Sequence, residues 1–222
     1  EGDQEGLRAL ARKLGIDMAS PRNLVDWWFA TYQRVSTEFG LWNHTAPCVA
    51  LSNVRVRGGL AATFAWLQAH EVPTLIVSAG LKQVIQAILE ERGCPIPACA
   101  SIVANDLKQA QVTVDDVTKG KALRIAPREY VAASAGRPCV LMLGDKVEDL
   151  APADGLSEDC CVLSICFLSA GLKEGREAPG SDVQKALQHF DVVLTGDASM
   201  DFLNRLLQAI ARGDAASLGA MR

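Results

Sequence analysis

The sequence predicts an α/β protein, a parallel β-sheet flanked by helices with a small helical region at its N-terminus. Short apolar runs, TLIVSAG, CVLMLG, CCVLSICFL and DVVLTGD, recur along the chain. Helical stretches of about ten residues separate them, the alternation that covers both faces of a parallel sheet. Most of these runs stop at small or acidic residues: Ser78 to Gly80, Gly144 with Asp145, and Gly196 with Asp197. In such sheets ligands bind outside the carboxyl ends of the strands, so these residues are where a site is expected.

The elements follow in order. Gln4 to Leu14 and Asn23 to Phe39 read as amphipathic helices, the second carrying WWFATYQRVSTEF and preceded by Ser20-Pro21, a helix start. Gly59 to His70 is a further helix. TLIVSAG is a strand, Lys82 to Arg92 a helix, and Ala100 to Ala104 a second strand. A charged, hairpin-like stretch spans Asn105 to Ile125, and a helix is expected around Arg128 to Ala135. CVLMLG is a strand followed by a turn of helix after Lys146. CCVLSICFL and DVVLTGD are strands, Glu174 to Asp182 is the clearest loop, and Met200 to Ala211 closes the chain as a helix.

At 222 residues, 49% hydrophobic and with net charge −4, the chain is long enough for a well-buried domain. The weak acidity argues against duplex nucleic acid as a partner. No apolar run is long enough for a bilayer span. The seven cysteines, Cys48, Cys94, Cys99, Cys139, Cys160, Cys161 and Cys166, sit largely in apolar settings. They read as free buried thiols of a reducing compartment, cytoplasmic or organelle-matrix, with no disulfides expected. Cys94 and Cys99 lack further ligands at a zinc-site spacing. His44, His70 and His189 are scattered and read as structural. Trp27, Trp28 and Phe29 read mainly as packing, since adjacent helix positions point in different directions. Neither G-x-S-x-G nor G-x-G-x-x-G occurs at a strand end.

Two strand ends carry chemistry. Ser78, Ala79 and Gly80 combine a hydroxyl with accessible backbone N–H groups before a helix N-terminus, an arrangement suited to an anion; a serine N-cap on a tight turn is the plainer alternative. LGDKVED places Asp145 and Asp149 four residues apart, where a hard cation such as Mg²⁺ takes one carboxylate and keeps most of its waters. A capped helix with exposed acids is the alternative there. Together the two ends suggest a magnesium-assisted phosphate site.

From Arg57 onward the sequence resembles the cytosolic pyrimidine 5′-nucleotidases of the haloacid dehalogenase-like superfamily. GGLAATFAWLQAHEVPTLIVSAGLKQVIQAILEERG is similar to that family's helix, strand and Ser-Ala-Gly phosphate loop. VLMLGDKVEDLAPADG resembles its Gly-Asp-Ser-x-Gly-Asp metal loop, and FDVVLTGDASMDFLNRLLQAI its closing strand and helix. LVDWWFATYQ resembles a cap helix. The resemblance implies a cap region over residues 1–45 and a haloacid dehalogenase-like core over 46–222. It implies Mg²⁺-dependent hydrolysis of nucleoside monophosphates, with Ser78, Ala79 and Gly80 holding phosphate, Asp145 binding metal and Asp149 as the supporting acid of that loop. Arg128 falls near the family's phosphate-neutralising lysine. Asp17 and Thr31 fall near cap residues that face the nucleoside.

The family's nucleophile motif, Asp-x-Asp-x-Thr, occurs nowhere in the 222 residues. With it goes the sheet's central strand, and a parallel sheet without its middle leaves ladder groups unpaired and apolar surface exposed. Either a segment preceding residue 1 supplies both, or the motif has been lost and another segment (Pro47 to Val54) or another chain fills the place. In the second case the protein is a catalytically inactive structural or interaction subunit with a protein partner. Lys146 stands where the family loop has serine. An ammonium within about 4 Å of Mg²⁺ repels it by several kcal/mol at an effective dielectric of about 20. If Lys146 points to solvent, that cost vanishes.

Overall fold

The computed structural model describes residues 54–106, 126–168, 180–196 and 198–213. Both front helical stretches lie outside the described residues, as do Asp17, Thr31, Asp197, most of Pro47 to Val54 and most of the stretch between Asn105 and Ile125.

Five parallel strands alternate with helices as expected. Helix α1 (Leu60–Ala69) leads to β1 (Thr74–Leu81), α2 (Lys82–Glu91) and β2 (Ala100–Asn105). Then come α3 (Arg128–Ser134), β3 (Cys139–Gly144), a 3₁₀ helix (Val147–Gly155) and β4 (Cys161–Phe167). The chain continues through α4 (Gly180–Leu187), β5 (Val192–Leu194) and α5 (Asp201–Arg212). Gly59, at φ 84°, turns the chain into α1 without strain. One expectation needs correction. The loop predicted through Asp182 stops earlier, because Gly180, Ser181 and Asp182 begin α4. Small and acidic residues that favour turns also favour a helix's first turn, where Asp182 meets the positive end of the dipole.

The described strands form two sheets. β1 pairs with β2, and β3-β4-β5 form the other, every pairing parallel. Among the described residues, no strand pairs with the second edge of β1 or of β3. The consequences are visible in burial. No residue of β3 is fully buried, and Leu143 is 40% exposed, whereas β4 ends in four buried residues.

Helix α1 ties the two halves together. Its Leu60 and Leu67 pack both against Ile165, Leu203 and their neighbours and against the cluster of Phe64, Leu89 and Cys94. Leu203, Leu206 and Leu207 recur at helical spacing, so α5 presents one apolar face to that core. A polar seam fixes α1 to α5. The buried Thr63 hydroxyl donates to Asn204 Oδ1 (2.8 Å), Asn204 Nδ2 donates to the Gly59 carbonyl (3.2 Å), and Met200 N–H donates to the Gly58 carbonyl (2.8 Å).

The six described cysteines are free thiols, but only Cys94 and Cys166 are buried; Cys139 and Cys161 are exposed. The expectation of buried thiols fails there because both residues begin their strands, at the sheet's end rather than its middle. His70 is structural as expected, its ring stacked 3.9 Å from Trp66 and its Nδ1 2.9 Å from the Trp66 carbonyl.

Candidate active site

The first half of the site is the carboxyl end of β1. Extended backbone runs on to Leu81 rather than turning at Ser78, with an irregularity in the pairing between Val77 and Leu81. Ser78 is not a helix cap, because the N-cap position of α2 belongs to Leu81. Instead the Ser78 hydroxyl oxygen accepts the Gly80 N–H at 3.0 Å, closing a small turn. Asn105, buried at the end of β2, donates from Nδ2 to the Ala79 carbonyl at 2.7 Å and holds the loop from the neighbouring strand. Ala79 and Gly80 are exposed.

The second half is the carboxyl end of β3. Gly144 ends the strand, and the chain folds back at once. Asp149 Oδ2 accepts the N–H groups of Asp145 (2.9 Å) and Lys146 (3.1 Å), while Asp149 N–H donates to the Lys146 carbonyl (3.0 Å). The two acids therefore differ in duty: Asp149 shapes the turn on which Asp145 is carried. Only a glycine fits at 144, since a Cβ there would press on Asp149 Cβ and stand 2.7 Å from its Oδ2.

Asp145 lines a cleft of about 380 Å³ with Val56, Arg57, Leu143, Gly144 and Phe167. Asp145 also lines a second groove, of about 160 Å³, together with Lys146, Asp182 and Lys185. Lys146 is exposed.

Arg57 lines the larger cleft with Asp145. Its Nη1 donates to the Ala198 carbonyl at 2.9 Å, and its Cζ lies 4.7 Å from the centre of the Phe167 ring. The environment of Cys166 reports the same clustering. Burial pushes this thiol up, Asp145 and then Asp149 push it further, and Arg57 opposes them. Arg57 was not among the residues singled out from the sequence. Its partners Ala198 and Phe167 both lie more than 100 positions away, and the only local signal is an arginine just before a Gly-Gly helix start. Arg57→Gln is expected to cost about 1–2 kcal/mol in urea unfolding, through the lost charged hydrogen bond and ring contact.

Arg128 is exposed at the first turn of α3. Among the described residues, no hydrogen bond or ion pair joins it to Ser78 or Asp145. The structure thus brings Asp145 and Asp149 together in one loop and Ser78, Ala79 and Gly80 in another.

A Mg²⁺ ion needs one or two carboxylates and retains several waters. Among the described residues, no group of three His, Cys, Asp or Glu side chains is placed to hold a metal. Asp145, on a turn pre-shaped by Asp149, fits as a single carboxylate ligand.

Open parallel sheets alternating with helices give the chain a haloacid dehalogenase-like α/β fold. The fold is similar to that of cytosolic 5′-nucleotidase IIIB bound to cytidine, with a TM-score of 0.67 and 20% identity, covering 94% of this chain and 72% of that one. The chain belongs to the Pyrimidine 5′-nucleotidase (UMPH-1) family, whose sequence profile matches residues 16–211. It is 27% identical over 195 residues to the 7-methylguanosine phosphate-specific 5′-nucleotidase A of Xenopus laevis, covering 84% of this chain and 64% of the relative. The human 7-methylguanosine phosphate-specific 5′-nucleotidase is 26% identical over 196 residues, 85% of this chain and 63% of the relative. The chain therefore spans under two thirds of the length of these relatives. No described helix is long and apolar enough to cross a membrane.

Proposed function

We propose that this chain carries the phosphate-holding and metal-holding loops of a Mg²⁺-dependent 5′-nucleotidase acting on nucleoside monophosphates. The nucleophile sits on a strand, from outside these 222 residues, seated between β1 and β3. The observation that carries the reading is the pair of strand edges without a described partner, each ending in one of the two loops. A parallel strand between them would deliver its own carboxyl end beside Ser78 on one side and Asp145 on the other.

In this reading Ser78, Ala79 and Gly80 hold the phosphate oxygens, and Arg128 supplies further positive charge. Asp145 holds the metal and Asp149 positions it. Asp17 and Thr31 of the cap region select the nucleoside. Mg²⁺, when bound, neutralises charge on the phosphoryl oxygens. The inserted carboxylate attacks phosphorus, the bond to the nucleoside oxygen breaks as that oxygen takes a proton from a general acid, and water then cleaves the acyl phosphate to free the carboxylate and inorganic phosphate. The names of the relatives add 7-methylguanosine monophosphate to the substrates worth testing. A cytoplasmic location suits a nucleotide substrate and the six described free thiols.

The test is phosphate release from UMP, CMP, AMP and 7-methylguanosine monophosphate by the full natural protein, with and without Mg²⁺, beside Asp145→Asn. Metal-dependent release that Asp145→Asn abolishes is the expected result. A folded protein that neither turns over these substrates nor binds Mg²⁺ would leave the chain as an inactive interaction subunit.

A further inference from the structure

At the end of the sheet opposite the candidate site, β3 and β4 begin with two cysteines. Cys139 and Cys161 are register partners in the parallel ladder, so their side chains leave the same face side by side. Both are exposed. The Cys161 N–H donates to the Pro138 carbonyl at 2.7 Å, which pins the two strand starts together. Neighbouring strands run about 4.8 Å apart, inside the window of roughly 4.4–6.8 Å that Cα atoms of a disulfide require.

We propose that Cys139 and Cys161 form a surface dithiol modification site, converted by a peroxide-class oxidant into a reversible disulfide across β3 and β4. One thiolate attacks a peroxide oxygen, forming a sulfenic acid and releasing hydroxide, which takes up a proton as water. The second thiol attacks that sulfur and expels a second water as the S–S bond closes. The two sulfurs together lose two electrons, and the peroxide gains them. A dithiol reductant reverses the change by exchange. Loss of surrounding water, then the adjacent Cys161, pushes the Cys139 thiol up. Closure should therefore quicken as pH rises and the thiolate fraction grows. Cys160 lies beside the pair but points its thiol to the Cys161 carbonyl at 3.9 Å. Cys94 and Cys166 are buried away from oxidant.

The test treats the full natural protein with hydrogen peroxide, alkylates the remaining thiols under native and then denaturing conditions, and maps the peptides by mass. The expected product is a cross-linked peptide pair joining Cys139 to Cys161, lighter by two hydrogens and split by dithiothreitol. Cys94 and Cys166 should be alkylated only after denaturation. In Cys139→Ser the cross-link disappears while the unfolding midpoint of the reduced protein is kept. Alkylation of both Cys139 and Cys161 after peroxide treatment of the wild-type protein would overturn the proposal. So would a cross-link in which Cys160 replaces either partner. The wild-type map decides even if the variant fails to fold.

Discussion

Gly144→Ala is expected to unseat the Asp145 loop and to lower stability by about 2–4 kcal/mol. The added Cβ would meet Asp149 Cβ and stand 2.7 Å from Oδ2, the oxygen that accepts the Asp145 and Lys146 N–H groups. Relief requires Asp149 to move, and moving it leaves both N–H groups without their carboxylate. The loss is therefore overpacking plus broken hydrogen bonds, and it falls on the residue proposed to hold the metal. Urea unfolding measures the stability term, and Mg²⁺ titration followed by calorimetry measures the site. Gly180→Ala is the control, because a Cβ at that helix start meets nothing within 4 Å. Its stability should stay within about 0.5 kcal/mol of wild type. Equal behaviour of the two variants would mean that the close approach at Gly144 is not a constraint.

Asp191→Ala is the second large effect, about 2–3 kcal/mol. Asp191 Oδ2 accepts both the backbone N–H (2.8 Å) and the hydroxyl (2.7 Å) of Ser164, whose Oγ in turn accepts the Asp191 N–H at 3.0 Å. Ser164 is only 5% exposed, so water cannot replace the lost acceptor. Two donors in the middle of β4 are orphaned, and the start of β5 loses its anchor. Asp191→Asn keeps one acceptor oxygen and should recover more than half of the loss in the same unfolding experiment. Asp191→Ala unfolding within about 0.5 kcal/mol of wild type would show that the Ser164 donors find other partners.

The strand order along the chain was legible because each strand is a short apolar run bounded by Gly, Pro or acidic residues. Among the described residues β1-β2 and β3-β4-β5 form separate sheets, and the sequence holds no Asp-x-Asp-x-Thr motif. What could not be read is what depends on distance across the fold. Asp145 and Asp149 look equivalent at four-residue spacing, and only the tight return after Gly144 turns the second toward backbone N–H groups. Arg57 enters the cleft through contacts with Ala198 and Phe167, both more than 100 positions away. Ser78 suggested a cap because serine commonly caps helices. Extended backbone through Leu81 displaces it and gives its hydroxyl to Gly80 instead. Cys161 read as buried because an apolar run follows it, although it stands at the first position of its strand.

The account rests on a strand place between β1 and β3 that no described residue fills. Amide hydrogen exchange on the 222-residue protein tests that most directly. In a parallel edge strand, alternate N–H groups point to the missing neighbour. Those of β1 and β3 should exchange on the order of 100-fold faster than the amides of β4, which is paired on both sides. Protection of β1 and β3 equal to that of β4 in the 222-residue protein would contradict the account, because a segment of this chain would then already occupy the place.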